Sequence, residues 1–425
     1  MRILWFSNTP SLAATKVSKN TVGCSWIESL EQGLSTFPDI ELGIVFKKPI
    51  KTSQEITIEG SNTRYFMVPQ YPTGKIALWM NRFLARPLSR KSLPNYLEVV
   101  EDFKPDVILF FGTEFDYPLI IPDLNVPSII WFQGNLTVYN EMYENGIRIR
   151  KTIYYESIKR FLKCYTIYHD YHLFLRKVER EKEIFSFAKN FIGRTAWDKR
   201  VVRIMAPQAN YFHSEEALRP SFWKYQWSEH KNREKYIITT VIRGQLYKGL
   251  ETVYKTAILL EDTLKKDFEW HVIGISDGST YVNAARREAK YERTRSTVKL
   301  LGPKFGDELV QQLLKANVYV HPSHIENSSN AIQEAMLLGM PLVATNVGGT
   351  PSLFTDNKEG FLVQSKDPYA MAGAILELLE SPKKSKEIGY NARLLGLKRN
   401  DNKKICEDLI ETFGKVIKQD KESSL

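Results

Sequence analysis

Short, largely apolar runs recur along both halves of the chain, several of them followed by a stretch with helical spacing. In the first half the runs are 2–7, 40–46, 107–111, 128–132 and 191–193, with helices expected over 22–34 and 96–103. In the second half strands are expected at 236–242, 268–275, 318–321 and 341–345, and helices at 250–260, 307–316 and 330–338. A strand that is apolar along its whole length, without polar alternation, belongs in a parallel sheet covered on both faces. Such strands alternating with helices of about ten residues are crossover units. The pattern predicts an α/β chain of two doubly wound, Rossmann-like domains facing across a cleft. Ligands in such folds sit beyond the carboxyl ends of the strands.

Length agrees: 425 residues exceed one domain of roughly 100–200, and each half is long enough to bury its own core. The charged, Trp-bearing stretch 219–235 suits a linker, so the boundary is expected within 205–234. The division adopted is 1–205, 206–398 and a terminal segment 399–425 carrying a last helix at 403–417.

Several function classes lose support. Cys24, Cys164 and Cys406 are odd in number and far apart, unlike a disulfide framework. No run approaches the roughly 20 apolar residues of a membrane span. The opening apolar run stops at Ser7-Asn8-Thr9-Pro10, too short for a signal peptide. A cytoplasmic protein is expected. The chain has no Gly-x-Gly-x-x-Gly and no Walker-type Gly-Lys-Ser/Thr, which argues against nicotinamide enzymes and P-loop ATPases.

The formal net charge of +10 favours anionic partners. Cations are dense over 82–91 and 148–182, interleaved with aromatic and aliphatic residues. Two readings stay open: solvated helix faces above ordinary core aromatics, or peripheral contact with the anionic inner face of a cell membrane. Neither stretch matches a nucleic-acid-binding module, and no nucleic-acid partner is expected.

The most informative segment is 321–341. A buried strand ends there, Pro322 and Ser323 break it, and Glu326 falls in the loop beyond. Ser328 or Ser329 can cap the next helix, Gly339 suits a left-handed C-terminus, and Pro341 prevents continuation. The free N–H groups near Ser329 and Asn330 offer an anion site. Glu334 lies one turn into the helix. Two carboxylates bracketing an anion site suit a ligand with hydroxyls at both ends and phosphate between, as in a nucleotide sugar. Arg243 and Lys248 follow the strand at 236–242 and can stabilise a departing diphosphate. No Asp-x-Asp is present to hold a metal there, which agrees with cationic side chains and a helix N-terminus in its place.

This constellation resembles the retaining GT-B glycosyltransferases of glycosyltransferase family 4, the glycosyl transferases group 1. The resemblance spans most of the second half, including Lys358-Glu359-Gly360-Phe361-Leu362-Val363 and the Arg243…Lys248-Gly249 spacing. It implies that Glu326 meets donor-sugar hydroxyls, Glu334 the ribose, and Arg243 with Lys248 the diphosphate. Asn327-Ser328-Ser329-Asn330 stands where many members have a Gly-Phe-Gly turn, and is similar to the Asn-Ser-Pro-Asn turn of polysaccharide-assembly enzymes. In the first half, Gly23 fits the family's glycine-rich turn as well as it fits a plain helix start. Gln133 stands near the usual position of a sugar-contacting histidine. Arg194, in a Gly-Arg-Thr-x-Trp-Asp block, and Glu114, at a strand end, are candidates for the acceptor side. The expected reaction is metal-independent, retaining transfer from a nucleotide diphosphate sugar, UDP-sugar favoured over GDP-sugar, with no other cofactor. The expected acceptor is a glycan or lipid-linked glycan in surface polysaccharide assembly. The last helix is expected to pack back across the domains. The rival readings are an epimerase on the same fold and a basic nucleic-acid-binding protein.

Overall fold

Val107, Ile108, Leu109, Phe110 and Phe111 are all buried, and successive side chains enter two different cores. Val107, Leu109 and Phe111 face one; Ile108 and Phe110 face the other. Strand side chains alternate between faces, so a run with no polar member must have a core on each side. The computed structural model describes residues 1–17, 26–58, 61–71, 74–84, 90–230, 234–292 and 294–423.

The chain divides into two units, 1–137 with 172–219 and 400–425, and 138–171 with 220–399. Among the described residues the first unit has eight strands: β1 (Arg2–Phe6), β2 (Glu41–Lys48), β3 (Gln54–Thr57), β4 (Arg64–Pro69), β5 (Val107–Phe111), β6 (Ser128–Trp131), β7 (Asn190–Gly193) and β8 (Asn210–His213). Their order is β3-β4-β2-β1-β5-β6-β7-β8. Every neighbouring pair is parallel except β3 with β4. The helix Asn402–Ser423 places Ile405, Cys406, Leu409, Phe413 and Val416 in the same core as Ile3 and Trp5. Their spacing is one helical stripe.

In the second unit the described strands are β9 (Tyr236–Val241), β10 (Phe268–Ile273), β11 (Val298–Gly302), β12 (Val318–His321), β13 (Leu342–Thr345) and β14 (Phe361–Val363). The order β11-β10-β9-β12-β13-β14 is parallel throughout. Chain order runs outward one way from β9 and the other way from β12. The loops after those two strands therefore diverge at a topological switch point, where ligands bind in open α/β sheets.

The boundary at Arg219 lies inside the expected 205–234 but past the adopted 205/206, and the second unit ends at Arg399, one residue past the adopted 398. Strand β8 pairs with β7, and Ala217 joins the first core, which carries the boundary to Arg219. Residues 138–171 belong to the second unit despite their place in the sequence. Tyr139 and Tyr143 pack on Tyr247 at ring distances of 5.2 and 5.7 Å, and Lys151 pairs with Glu288 at 2.9 Å. Residues 400–425 are not a separate segment, because their helix completes the first core.

Candidate functional site

Two loops meet at the switch point of the second sheet. One follows β9 and carries Arg243 and Lys248; the other follows β12 and carries Glu326. They are tied together by the backbone N–H of His324, which donates to the Tyr247 carbonyl at 2.7 Å. Close approach also requires glycine on either side. A Cβ on Gly249, at φ +73°, would meet the Pro322 carbonyl oxygen, and one on Gly348, at φ +50°, would meet that of Glu326. Gly349 N–H then donates to the Glu326 carbonyl at 2.9 Å.

Glu326 is buried, and its carboxylate is fully engaged on one side. Oε1 lies 2.5 Å from Lys248 Nζ, 2.8 Å from His321 Nε2 and 2.7 Å from Ser323 Oγ. Burial alone would raise its pKa. The Lys248 charge and the His321 contact outweigh burial and hold the carboxyl well below the ordinary carboxylate range. His321 Nδ1 is 3.2 Å from the Tyr319 hydroxyl, which fixes the imidazole between phenol and carboxylate. Burial pushes the Tyr319 phenol far up, with Glu334 and Glu326 adding to it. Both glutamates therefore act electrostatically on one buried ring.

Glu334 sits on the helix Asn330–Leu338, which ends at Gly339 with φ +76°. Ser329 occupies the N-cap position in extended conformation, and its side chain makes no capping bond. Ser328 Oγ instead accepts from Gln333 Nε2 at 3.1 Å. Asn330 is the first residue of the helix. Arg243 is exposed and has no ion pair among the described residues. With Gly244, Gln245, Leu246 and Tyr281 it lines a shallow cavity. The switch point thus holds a neutralised carboxylate–lysine pair beside an available guanidinium and an uncapped helix start, a combination able to bind a polyhydroxylated anion.

His321 and His324 lie three residues apart across a strand end, a spacing that fits no metal site on one helix face, and both organise this cluster. His324 Nε2 lies 2.5 Å from Glu251 Oε1 and its Nδ1 2.8 Å from Ser365 Oγ. Burial opposes ionisation of Glu251, but the His324 contact prevails and lowers its pKa. A histidine at the end of an all-buried strand next to a loop carboxylate is the signal that was there to read.

In the first unit, Glu114, Gln133 and Arg194 follow β5, β6 and β7. Arg194 is buried and committed to its own unit: it pairs with buried Glu216 and donates to the Phe132 and Gln133 carbonyls at 2.7 and 3.1 Å. That guanidinium holds the β6 loop rather than reaching outward. We expect Arg194→Met to cost about 3–5 kcal/mol in urea unfolding, since it removes the guanidinium paired with the buried Glu216 carboxylate.

Glu114 Oε1 accepts from Gly134 N–H at 3.1 Å, while Oε2 is buried without a hydrogen-bond partner. Burial, with the Glu181 charge nearby, pushes its pKa up to about 7. A raised carboxyl pKa stabilises the fold below the ordinary value of 4.5 and loses that contribution as pH rises toward 7. Glu114→Gln should therefore be more stable than the parent above neutral pH by about 1–3 kcal/mol, with the gap closing at pH 5. Equal unfolding curves at pH 8 would contradict this. Gln133 Nε2 points back to the Trp131 carbonyl at 3.4 Å. Gly23 lies outside the described residues.

Residues 221–395, which lie within the second unit, match the model of the family described as glycosyl transferases group 1. Among curated relatives, a D-inositol 3-phosphate glycosyltransferase of Corynebacterium diphtheriae is 32% identical over 162 residues, 37% of this chain and 37% of that protein. The amylovoran biosynthesis glycosyltransferase AmsK of Erwinia amylovora is 31% identical over 147 residues, 33% and 35% of the two chains. The matched stretch thus spans little more than a third of either relative. Solved structures extend the likeness in fold to the whole chain. Sucrose-phosphate synthase from Thermosynechococcus elongatus superposes with a TM-score of 0.71 at 16% identity, covering 98% of this chain and 99% of that one. HepE of Anabaena in complex with UDP and glucose gives 0.65 at 15% identity, covering 98% and 100%. The architecture is the expected two-domain GT-B fold.

Proposed function

We propose that this chain is a glycosyltransferase that moves a sugar from a nucleotide diphosphate sugar to a glycan or lipid-linked glycan hydroxyl, with retention and without a metal. The observation that carries the reading is the Lys248–Glu326–His321 cluster at the β9/β12 switch point, beside exposed Arg243. Glu326 has a second carboxylate oxygen to accept donor-sugar hydroxyls, and Glu334 one turn into the helix takes the ribose. Ser328, Ser329 and Asn330 present the helix start to phosphate. In transfer the bond from the anomeric carbon to the diphosphate oxygen breaks as the bond to the acceptor oxygen forms. The acceptor proton passes to the leaving phosphate, and Arg243 with Lys248 stabilises the charge that develops there. Glu114 and Gln133 serve acceptor hydroxyls. UDP-sugar is the favoured donor, supported by the UDP and glucose in the HepE complex. A role in surface polysaccharide assembly is supported by the name of the amylovoran relative.

Thermal-shift and hydrolysis measurements with UDP-, GDP- and ADP-glucose test the donor reading. Stabilisation and slow hydrolysis with one nucleotide sugar are expected. An isomerised sugar released without transfer would instead establish an epimerase, and no response to any of the three would remove the donor assignment.

A further inference from the structure

The helix Lys75–Phe83 has no buried residue. Its apolar side chains nevertheless form a stripe: Ile76, Trp79, Met80 and Phe83 recur at the spacing of one helical face, with Leu78 alongside. Ile76 is 77% exposed and Phe83 59% exposed, and the Trp79 and Phe83 rings stack at 5.0 Å. A stripe of this kind normally exists to cover a core, and here it covers none within its own unit. Contiguous exposed apolar surface on a folded chain marks an interaction site.

Charge identifies the occupant. From Gln70 to Leu97 the chain has five cations, Lys75, Arg82, Arg86, Arg90 and Lys91, and no Asp or Glu. Arg90 is held by Glu183 at 2.6 Å, and Arg86 lies outside the described residues. An amphipathic helix with Trp, Phe and Ile on one face and only cations among its charges is suited to lie in the headgroup layer of an anionic bilayer. A protein partner complementary to this face would need acidic groups ringing an apolar patch, whereas an anionic bilayer supplies both along its whole surface. No helix among the described residues is long and apolar enough to cross a membrane, so the contact is one of lying on the surface.

We propose that Lys75–Phe83 is a docking helix for anionic lipid bilayers. It deepens the proposed function by placing the enzyme where lipid-linked acceptors are found, and rests on that reading only for this purpose. Docking itself is measured without donor or acceptor, so the two readings fail separately.

The test is co-sedimentation of the full chain with sucrose-loaded vesicles of phosphatidylcholine alone or mixed with phosphatidylglycerol. Wild type should pellet with the mixed vesicles and much less with phosphatidylcholine. Trp79→Glu combined with Phe83→Glu should weaken partition at least about tenfold. The same double variant should keep its thermal midpoint and its donor hydrolysis, because neither side chain supports the core. A second variant, Lys75→Glu, should reduce the preference for mixed vesicles with the apolar stripe intact. The proposal is overturned if wild type stays in solution with mixed vesicles, or if the double variant pellets equally. Equal binding to both vesicle types overturns it too. It is also overturned if the double substitution converts a self-associated wild type to monomer while vesicles bind neither, which would give the face to a second copy of the chain.

Discussion

Glu326→Gln is expected to lower kcat for the proposed sugar transfer by about two to three orders of magnitude while changing donor affinity less. The substitution preserves shape and still accepts a hydrogen bond from Ser323. It removes the charge that holds Lys248 at 2.5 Å and His321 at 2.8 Å, so both must find new partners inside a buried cluster. Breaking one side of a buried ion pair costs about 3–5 kcal/mol, and the retained hydrogen bonds place glutamine at the lower end. The pH dependence gives the result its sign. The Glu326 pKa is depressed on folding, so its ionised contribution is complete above the ordinary value of 4.5 and declines only as pH falls below it. Urea unfolding from pH 8 to 5 should show a constant gap between parent and variant. A gap that vanished by pH 5 would mean that the carboxylate is not held as described.

Lys248→Met should reduce kcat by about a hundredfold, and its second consequence separates two roles for the lysine. If Lys248 served only the diphosphate, its loss would leave the Glu326 titration untouched. In the structure it supplies the largest attraction that lowers the Glu326 pKa. The acid limb of the kcat profile should therefore move upward in the methionine variant. Arg243→Ala is the control. Its side chain is exposed and holds no carboxylate among the described residues, so it should lower transfer with neither the pH limb nor the unfolding midpoint displaced. A fixed acid limb in Lys248→Met would contradict the coupling.

The strands of both sheet centres were legible because β1, β5, β9 and β12 are apolar over most of their length, with polar residues confined to Arg2, the buried Thr239 and Thr240, and the strand-ending His321. Edges were not. β3 (Gln-Glu-Ile-Thr) and β8 (Asn-Tyr-Phe-His) lie at the two edges of their sheet and read as polar loop. Helix Lys75–Phe83 went unread for a different reason: its apolar residues have helical spacing, but no rule of sequence says that such a stripe faces solvent. At the site, Glu326, Arg243 and Lys248 were singled out as residues beyond strand ends and Glu334 as one turn into a helix, with the family resemblance supplying their roles. The histidines were missed because they lie only two and five residues before Glu326 and match no metal spacing, and their roles appear only when β12 ends against the β9 loop. Arg194 misled because an arginine at a strand end looks outward-facing until Glu216, 22 residues on, is seen beneath it.

The helix Asn402–Ser423 sets a timetable for synthesis. Domains emerging from a ribosome generally fold as they appear, N-terminal first. Here the core around Ile3 and Trp5 is closed by Ile405, Leu409, Phe413 and Val416. The first unit therefore waits until residues 405–416 have emerged before it can finish, with an apolar face uncovered in the meantime. The second unit, whose last residue is Arg399, is complete first, even though it begins later in the message.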